Sequence, residues 1–187
     1  LDKDTSGVLL LARSAKMLRA LGEMFQKKLI KKIYWALVSP APEIHCGEIN
    51  MPIAKSVGHN KEKMVVGTEE GKDALTIFDV IDHAHKTIAF VAFWPRTGRK
   101  HQIRVHASYM GCPIIGDRKY GFAEEEFRDI GCVKRLHLHA VEAGFKHPFS
   151  NKIISIQAPV PDDLQKSWKQ LGFDVSLSQP AFTDIRT

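Results

Sequence analysis

Cysteine is scarce in this chain of 187 residues: Cys46, Cys112 and Cys132 are odd in number, widely spaced and form no C-x-x-C pair. That argues against a disulfide framework and a zinc knuckle and points to a reducing compartment, so a cytoplasmic location is expected. Long apolar runs are lacking too. The stretch at residues 7–12 (GVLLLA) is far too short to cross a bilayer, and no segment has the three-part build of a signal peptide. Repeats and low-complexity tracts are missing. So is an initiator Met: the chain opens Leu1-Asp2, which reads as a fragment with an unseen upstream part. With 44% hydrophobic and 26% charged residues the chain can bury a core, which excludes a disordered one. Positive charge is in modest excess, 27 Lys and Arg against 21 Asp and Glu, a balance that suits a polyanionic partner without requiring one.

The apolar run at 7–12 has the pattern of a strand buried on both faces. Ser14 is placed to cap a helix reaching about Leu29, with Met17, Leu18, Leu21, Phe25 and Leu29 as its apolar stripe. Strand composition returns at 32–38 and ends at Pro40 and Pro42; 64–66 is a short strand and 69–73 a turn. Residues 74–81 and 87–93 read as two strands, each with one face partly solvated, joined by 83–86. A short helix is expected over 100–110, ended by Gly111, and an acidic, mobile insertion over 122–130. Further strands at 136–145 and 152–157 lead to a closing helix at 162–171 with Asp162 or Asp163 as its cap. Strands outnumber helices and neighbour one another. The expected class is therefore α+β: a mixed, mostly antiparallel β-sheet flanked by short helices.

Two segments hold the chemistry-bearing residues. Asp2 and Asp4 lie in a polar turn ahead of the apolar run, where a carboxylate can stand at the rim of a cleft or simply form the turn. In residues 96–106 a Thr97-Gly98 turn feeds a helix with Arg99, Lys100, His101, Arg104 and His106. A helix start with clustered cations suits phosphate, while Arg104, a turn further on, faces elsewhere and is free to pair with a carboxylate. His137 and His139 alternate to one face of a strand, but no cysteine stands near the histidines at zinc-site spacing, so no metal site is expected.

Residues 1–11 (LDKDTSGVLLL) resemble the R-L-D-x-x-T-S-G-L/V-L signature of the RluA-type pseudouridine synthases, without its first residues. In the same order follow K-x-Y-x-A at 32–36, E-G-K-x-A-x-T at 70–76 and T-G-R-x-H-Q-I-R-V-H at 97–106. P-I-x-G-D-x-x-Y-G at 113–121 and L-H-A-x-x-x-x-F-x-H-P at 138–148 complete the set, so the likeness runs to about Pro161. The tract at 120–140 is most similar to the branch acting on large-subunit ribosomal RNA. The resemblance implies a pseudouridine synthase catalytic domain over residues 1–173, lacking its upstream strands, with a poorly ordered tail at 174–187. It implies isomerisation of uridine to pseudouridine within RNA, with no cofactor and no metal. Asp2 would be the nucleophile acting on a flipped nucleotide, by a chemical route the sequence leaves open, and Asp4 falls where the family varies. Arg104 would pair with Asp2, its fork holding the carboxylate in one orientation, and Tyr34 would stack on the uracil. Arg96, Arg99, Lys100, Lys31 and Lys32 are the candidates for RNA phosphate contacts.

Two alternatives stay open: a non-catalytic RNA-binding module, and a synthase that targets transfer RNA. A DNA-binding protein is disfavoured, because no helix-turn-helix, zinc finger or basic zipper pattern occurs. Nothing in the sequence sets the oligomeric state, and a monomer is the working expectation.

Overall fold

The computed structural model describes residues 1–56, 63–67, 69–85, 87–122, 130–175 and 182. Its elements are β1 (Ser6–Gly7), α1 (Ala15–Gln26), β2 (Lys31–Val38), β3 (Cys46–Asn50), β4 (Ile53–Lys55) and β5 (Met64–Val66). They continue with β6 (Leu75–Ala84), β7 (Ile88–Pro95), α2 (Gln102–Tyr109), β8 (Leu138–Lys146), β9 (Ile153–Gln157) and α3 (Asp162–Gln170). One sheet runs in the order β1-β8-β2-β7-β6-β3, with β9 also paired to β8, while β4 and β5 form a separate hairpin. The β1–β8 pairing is parallel and the other pairings of this sheet are antiparallel. The α+β class expected from the strand count is the class observed.

Strand β7 is the axis of the core. It is buried along its whole length, so the expectation of a partly solvated face fails there: β2 and β6 flank it and both its faces are covered. Phe90 and Ala92 point to the cluster that α3 closes with Leu164 and Trp168. Val91 and Phe93 point to the opposite cluster, which α2 closes with Ile103 and Ala107. β6 does alternate, as a strand with one wetter face should.

The run at 7–12 is not a strand buried on both faces. Pairing with β8 ends at Gly7, with one further bond from the Val8 amide to the Ala140 carbonyl, and Leu9 and Leu11 are exposed. The cause is competition for one edge. β9 occupies that edge of β8 from Glu142 to Lys146, so only His139 and Ala140 remain for β1. Leu10 and Ala12 turn instead onto α1 and Phe145.

Helix α1 begins where expected, with the Ser14 hydroxyl accepting from the Met17 amide at 3.2 Å, but it ends at Gln26 and its buried face is Leu21 and Met24. Leu18, Phe25 and Leu29 of the expected stripe are exposed, because α1 packs along one narrow edge rather than over the sheet. The cap of α3 is Pro161. Asp162 and Asp163 fall inside its first turn, where Asp163 accepts from the Leu164 amide and from Arg135. Strands β3 and β4 are found where the sequence suggested none. Phe122 and Ile130, the ends of the expected acidic insertion, join the core, and residues 123–129 lie outside the described residues.

Candidate active site

The basic segment is shaped by one glutamine. The Gln102 side-chain oxygen accepts from the Thr97 hydroxyl (2.7 Å) and the Arg99 amide (3.0 Å), while its nitrogen donates to the Leu75 carbonyl and the Thr76 hydroxyl, both at 2.9 Å. Gln102, Thr97 and Thr76 are buried, so the turn at 97–101 is pinned to the start of β6. The chain enters α2 through His101 in the left-handed region, φ 55° and ψ 21°. A non-glycine residue held there is uncommon, although histidine tolerates it better than most. Arg99 and Lys100 therefore sit in the turn before the helix, and the Arg99 Nε donates to the Asp73 carbonyl at 2.9 Å.

Arg104, one turn into α2, is 8% exposed. Its Nε and Nη2 each donate to one oxygen of Asp117, both at 2.7 Å, and Asp117 is 1% exposed. Burial works against the guanidinium charge, but the bonds to Asp117 and its charge outweigh it and hold the Arg104 pKa above its ordinary value. Asp117 is itself held in a tight turn, its carbonyl accepting from the amides of Tyr120, Gly121 and Phe122. Gly116 before it has φ +85°, and a Cβ there would overlap the Arg135 carbonyl, so only glycine brings the two chains this close.

Asp2 opens a turn closed by the Thr5 amide on the Asp2 carbonyl at 3.0 Å. The turn is anchored by Ser6 and Gly7 lying against His139 and Ala140 of β8, with a hydrogen bond of 2.9 Å between the Ser6 hydroxyl and His139 Nδ1. From there the carboxylate of Asp2 faces two nitrogens: Arg104 Nη1 lies 3.9 Å from Oδ2 and His101 Nε2 lies 3.9 Å from Oδ1. Tyr34, on β2, completes the group. Burial first, and the charge of Asp2 second, push its phenol up to about 12, so it keeps its proton at neutral pH.

The chain matches the RNA pseudouridylate synthase family over residues 1–109, which includes Asp2, Tyr34, His101 and Arg104. It belongs to that family. Among curated relatives of this synthase-family chain, the ribosomal large subunit pseudouridine synthase C of Pasteurella multocida is 38% identical over 168 residues, 89% of this chain and 51% of the relative. The corresponding protein of Escherichia coli O157:H7 is 37% identical over 174 residues, covering 91% and 54%. An uncharacterized RNA pseudouridine synthase of Zymomonas mobilis is 39% identical over 174 residues, covering 92% and 74%. The solved structure of human RNA pseudouridylate synthase domain containing 4 superposes with a TM-score of 0.76 at 28% identity, covering 92% of this chain and 74% of that one. The chain spans about half the length of the synthase C relatives.

Within this family member Asp2 stands near both Tyr34 and Arg104, but the pairing expected of Arg104 differs. The fork of Arg104 is engaged by Asp117, and Asp2 meets only the remaining nitrogen, without a hydrogen bond. One guanidinium edge holds one carboxylate side-on, and the buried Asp117 has it. Asp117 and Tyr120 join this group with no role given to them from the sequence, and His101, named there only within the basic segment, stands with them. The G-D-x-x-Y-G motif that carries two of them was the available signal.

The five cationic candidates divide between two places. The Lys32 amine lies beside the turn at 97–101, near Gly98, and burial lowers its pKa. Lys31 and Arg96 instead gather on the Trp94 ring, at 5.1 and 4.2 Å, on the face that Trp94 shares with Phe90 and Ala92. There Lys31 also donates to the Phe182 carbonyl at 2.8 Å. His137 and His139 serve the scaffold: each ring engages protein partners at both nitrogens, His137 reaching Arg135, Ile115 and Ser167.

Proposed function

We propose that this chain isomerises uridine to pseudouridine within RNA, with Asp2 as the nucleophile acting on a nucleotide flipped out of its stack. The observation that carries the reading is the position of the Asp2 carboxylate, partly exposed and facing Arg104 Nη1 and His101 Nε2 at 3.9 Å each, beside a protonated Tyr34. Nucleophilic catalysis needs a carboxylate that substrate can reach, and the Asp2 side chain is 25% exposed. Tyr34 offers a ring to the extruded base. Stacking of that kind gains about 1–3 kcal/mol, comparable to the few kcal/mol that unstacking costs, so phosphate contacts must add to it. Lys32, Arg99 and Lys100, next to the Arg104 side of the sheet, are assigned that role; Lys31 and Arg96, on the other face, are not. The substrate is read as large-subunit ribosomal RNA, which supports a cytoplasmic location, because relatives sharing 37–38% identity bear that specificity in their names.

The test incubates the protein with transcripts of large-subunit ribosomal RNA and with transfer RNA, then maps pseudouridine chemically. Conversion at a defined uridine of the ribosomal transcript, lost in Asp2→Asn with RNA affinity retained, is expected. No product in either RNA, or equal turnover by the variant, would overturn the reading. Conversion of transfer RNA alone would overturn the substrate.

A further inference from the structure

We propose that His101 is a positioning residue for Asp2, its Nε2–H held toward the carboxylate by a hydrogen-bond chain that runs through Tyr120 to the Met64 amide of the β4–β5 hairpin. The inference deepens the functional reading and rests on Asp2 as the nucleophile.

The chain is directional. The Met64 amide donates to the Tyr120 hydroxyl at 3.1 Å, and the same hydroxyl lies 2.7 Å from His101 Nδ1. A phenol has one proton, and burial raises the Tyr120 pKa, so the proton stays on oxygen. With one lone pair taken by the amide, the hydroxyl can give its proton to Nδ1, and that direction places the proton of the neutral ring on the other nitrogen. That nitrogen is the one facing Asp2. Had Nδ1 held the proton, His101 would present a lone pair to a carboxylate.

The backbone supports the same role. His101 is held at positive φ by the pinned turn, which is the conformation that brings its ring edge-on to Tyr120 at 5.6 Å between centroids. Burial lowers the His101 pKa, the charge of Asp2 opposes this, and Arg104, Lys119 and Lys100 add to the lowering, so the neutral ring prevails. Lys63, 5.7 Å from the centre of the Tyr120 ring, Lys119, 6.0 Å from it, and Asp117 are further charges acting on this chain through Tyr120. Separations of 3.9 Å on both carboxylate oxygens are long for hydrogen bonds, as catalytic contacts often are before substrate arrives. Because Met64 lies in the hairpin and the hairpin packs on α2 through Ile53, Ala74 and Val105, seating of the hairpin sets the orientation of the histidine that faces the nucleophile.

Single-turnover pseudouridine formation on the ribosomal transcript decides the matter, measured from mildly acidic to mildly alkaline pH for wild type, His101→Ala, His101→Gln, Tyr120→Phe and Asp2→Asn. Misplacing a reacting group costs on the order of a hundredfold, so His101→Ala is expected to lose that much in rate with unchanged RNA affinity. His101→Gln, which can accept from Tyr120 and donate to Asp2, should recover most of the loss. Tyr120→Phe should slow turnover and change the shape of the pH profile. Nitrogen-15 spectra of the imidazole should show the Nε2–H form in wild type and a mixture in Tyr120→Phe. The Nδ1–H form in wild type, or wild-type rates for His101→Ala at every pH while Asp2→Asn is dead, would overturn this inference alone. Equal loss in His101→Ala and His101→Gln would do the same. An Asp2→Asn variant as fast as wild type would remove the nucleophile reading and this inference together.

Discussion

Arg104 gives one full edge of its guanidinium to Asp117, at 2.7 Å on both bonds, and turns its remaining nitrogen to Asp2 at 3.9 Å. The arginine is thus locked by one carboxylate and presented to another. This arrangement fixes Arg104 while leaving the Asp2 carboxylate without a direct hydrogen bond to it.

Removing the lock should be costly. Asp117→Asn leaves a buried guanidinium without its counter-charge, and breaking a buried pair in this way destabilises by about 3–5 kcal/mol. Denaturant unfolding should show the midpoint falling with the slope unchanged. A midpoint within error of wild type would mean that Asp117 is not what holds Arg104.

The signature turn depends on Gly7. Its φ of +118° and the overlap that a Cβ would make with the Ala140 backbone leave no room for a side chain. Gly7→Ala should push the β1 segment off β8 and move Asp2, lowering the turnover rate by on the order of a hundredfold. Melting of the core, which is built on β2, β6 and β7, should change far less. Wild-type turnover in this variant would detach the turn from catalysis.

Electrostatics should separate the two groups of cations. Arg99→Ala is expected to lower the slope of log affinity against log salt by about one, as the loss of one phosphate contact does. Arg96→Ala, whose guanidinium stacks on Trp94 on the opposite face, should leave the slope as it was. The reverse pattern would move the RNA path to the Trp94 side.

Stability should fall in acid before the carboxylates titrate. His137 is fully buried, and burial lowers its pKa from 6.5 to about 4. Above the unfolded value both states are neutral and the full stability is present. Between 6.5 and about 4 only the unfolded chain takes up the proton, so stability declines across that window by about 3 kcal/mol and levels off below it. His106 and His139, also lowered by burial, act in the same direction. Unfolding free energies measured from pH 7 downward should show this decline, and His137→Gln should flatten it. An unchanged slope in that variant would assign the acid sensitivity elsewhere.

Much of this was legible because it is local. Ser14 caps α1 through its own near neighbours, and residues 32–38 have the composition of a strand. The positions of Asp2, Tyr34 and Arg104 were readable from motif order. The exposed leucines at 9 and 11 were not, since their fate depends on β9, more than 140 residues along the chain, taking the edge of β8 that they would have used. The partner of Arg104 was hidden for a similar reason. Two carboxylates were available to it, and the motif containing Asp117 does not state which one reaches the fork.

The amino-acid order by itself determined the strand-rich class, the turn that bears Asp2 and the cations that surround it, because these follow from periodicity, capping and glycine placement within a few residues. Only the tertiary structure decided that Asp117 rather than Asp2 clasps Arg104, that His101 faces Asp2, and that Lys31 and Arg96 gather on the Trp94 face. Each of those outcomes is a contest between groups distant in the chain for one geometric position, and close packing allows a single occupant.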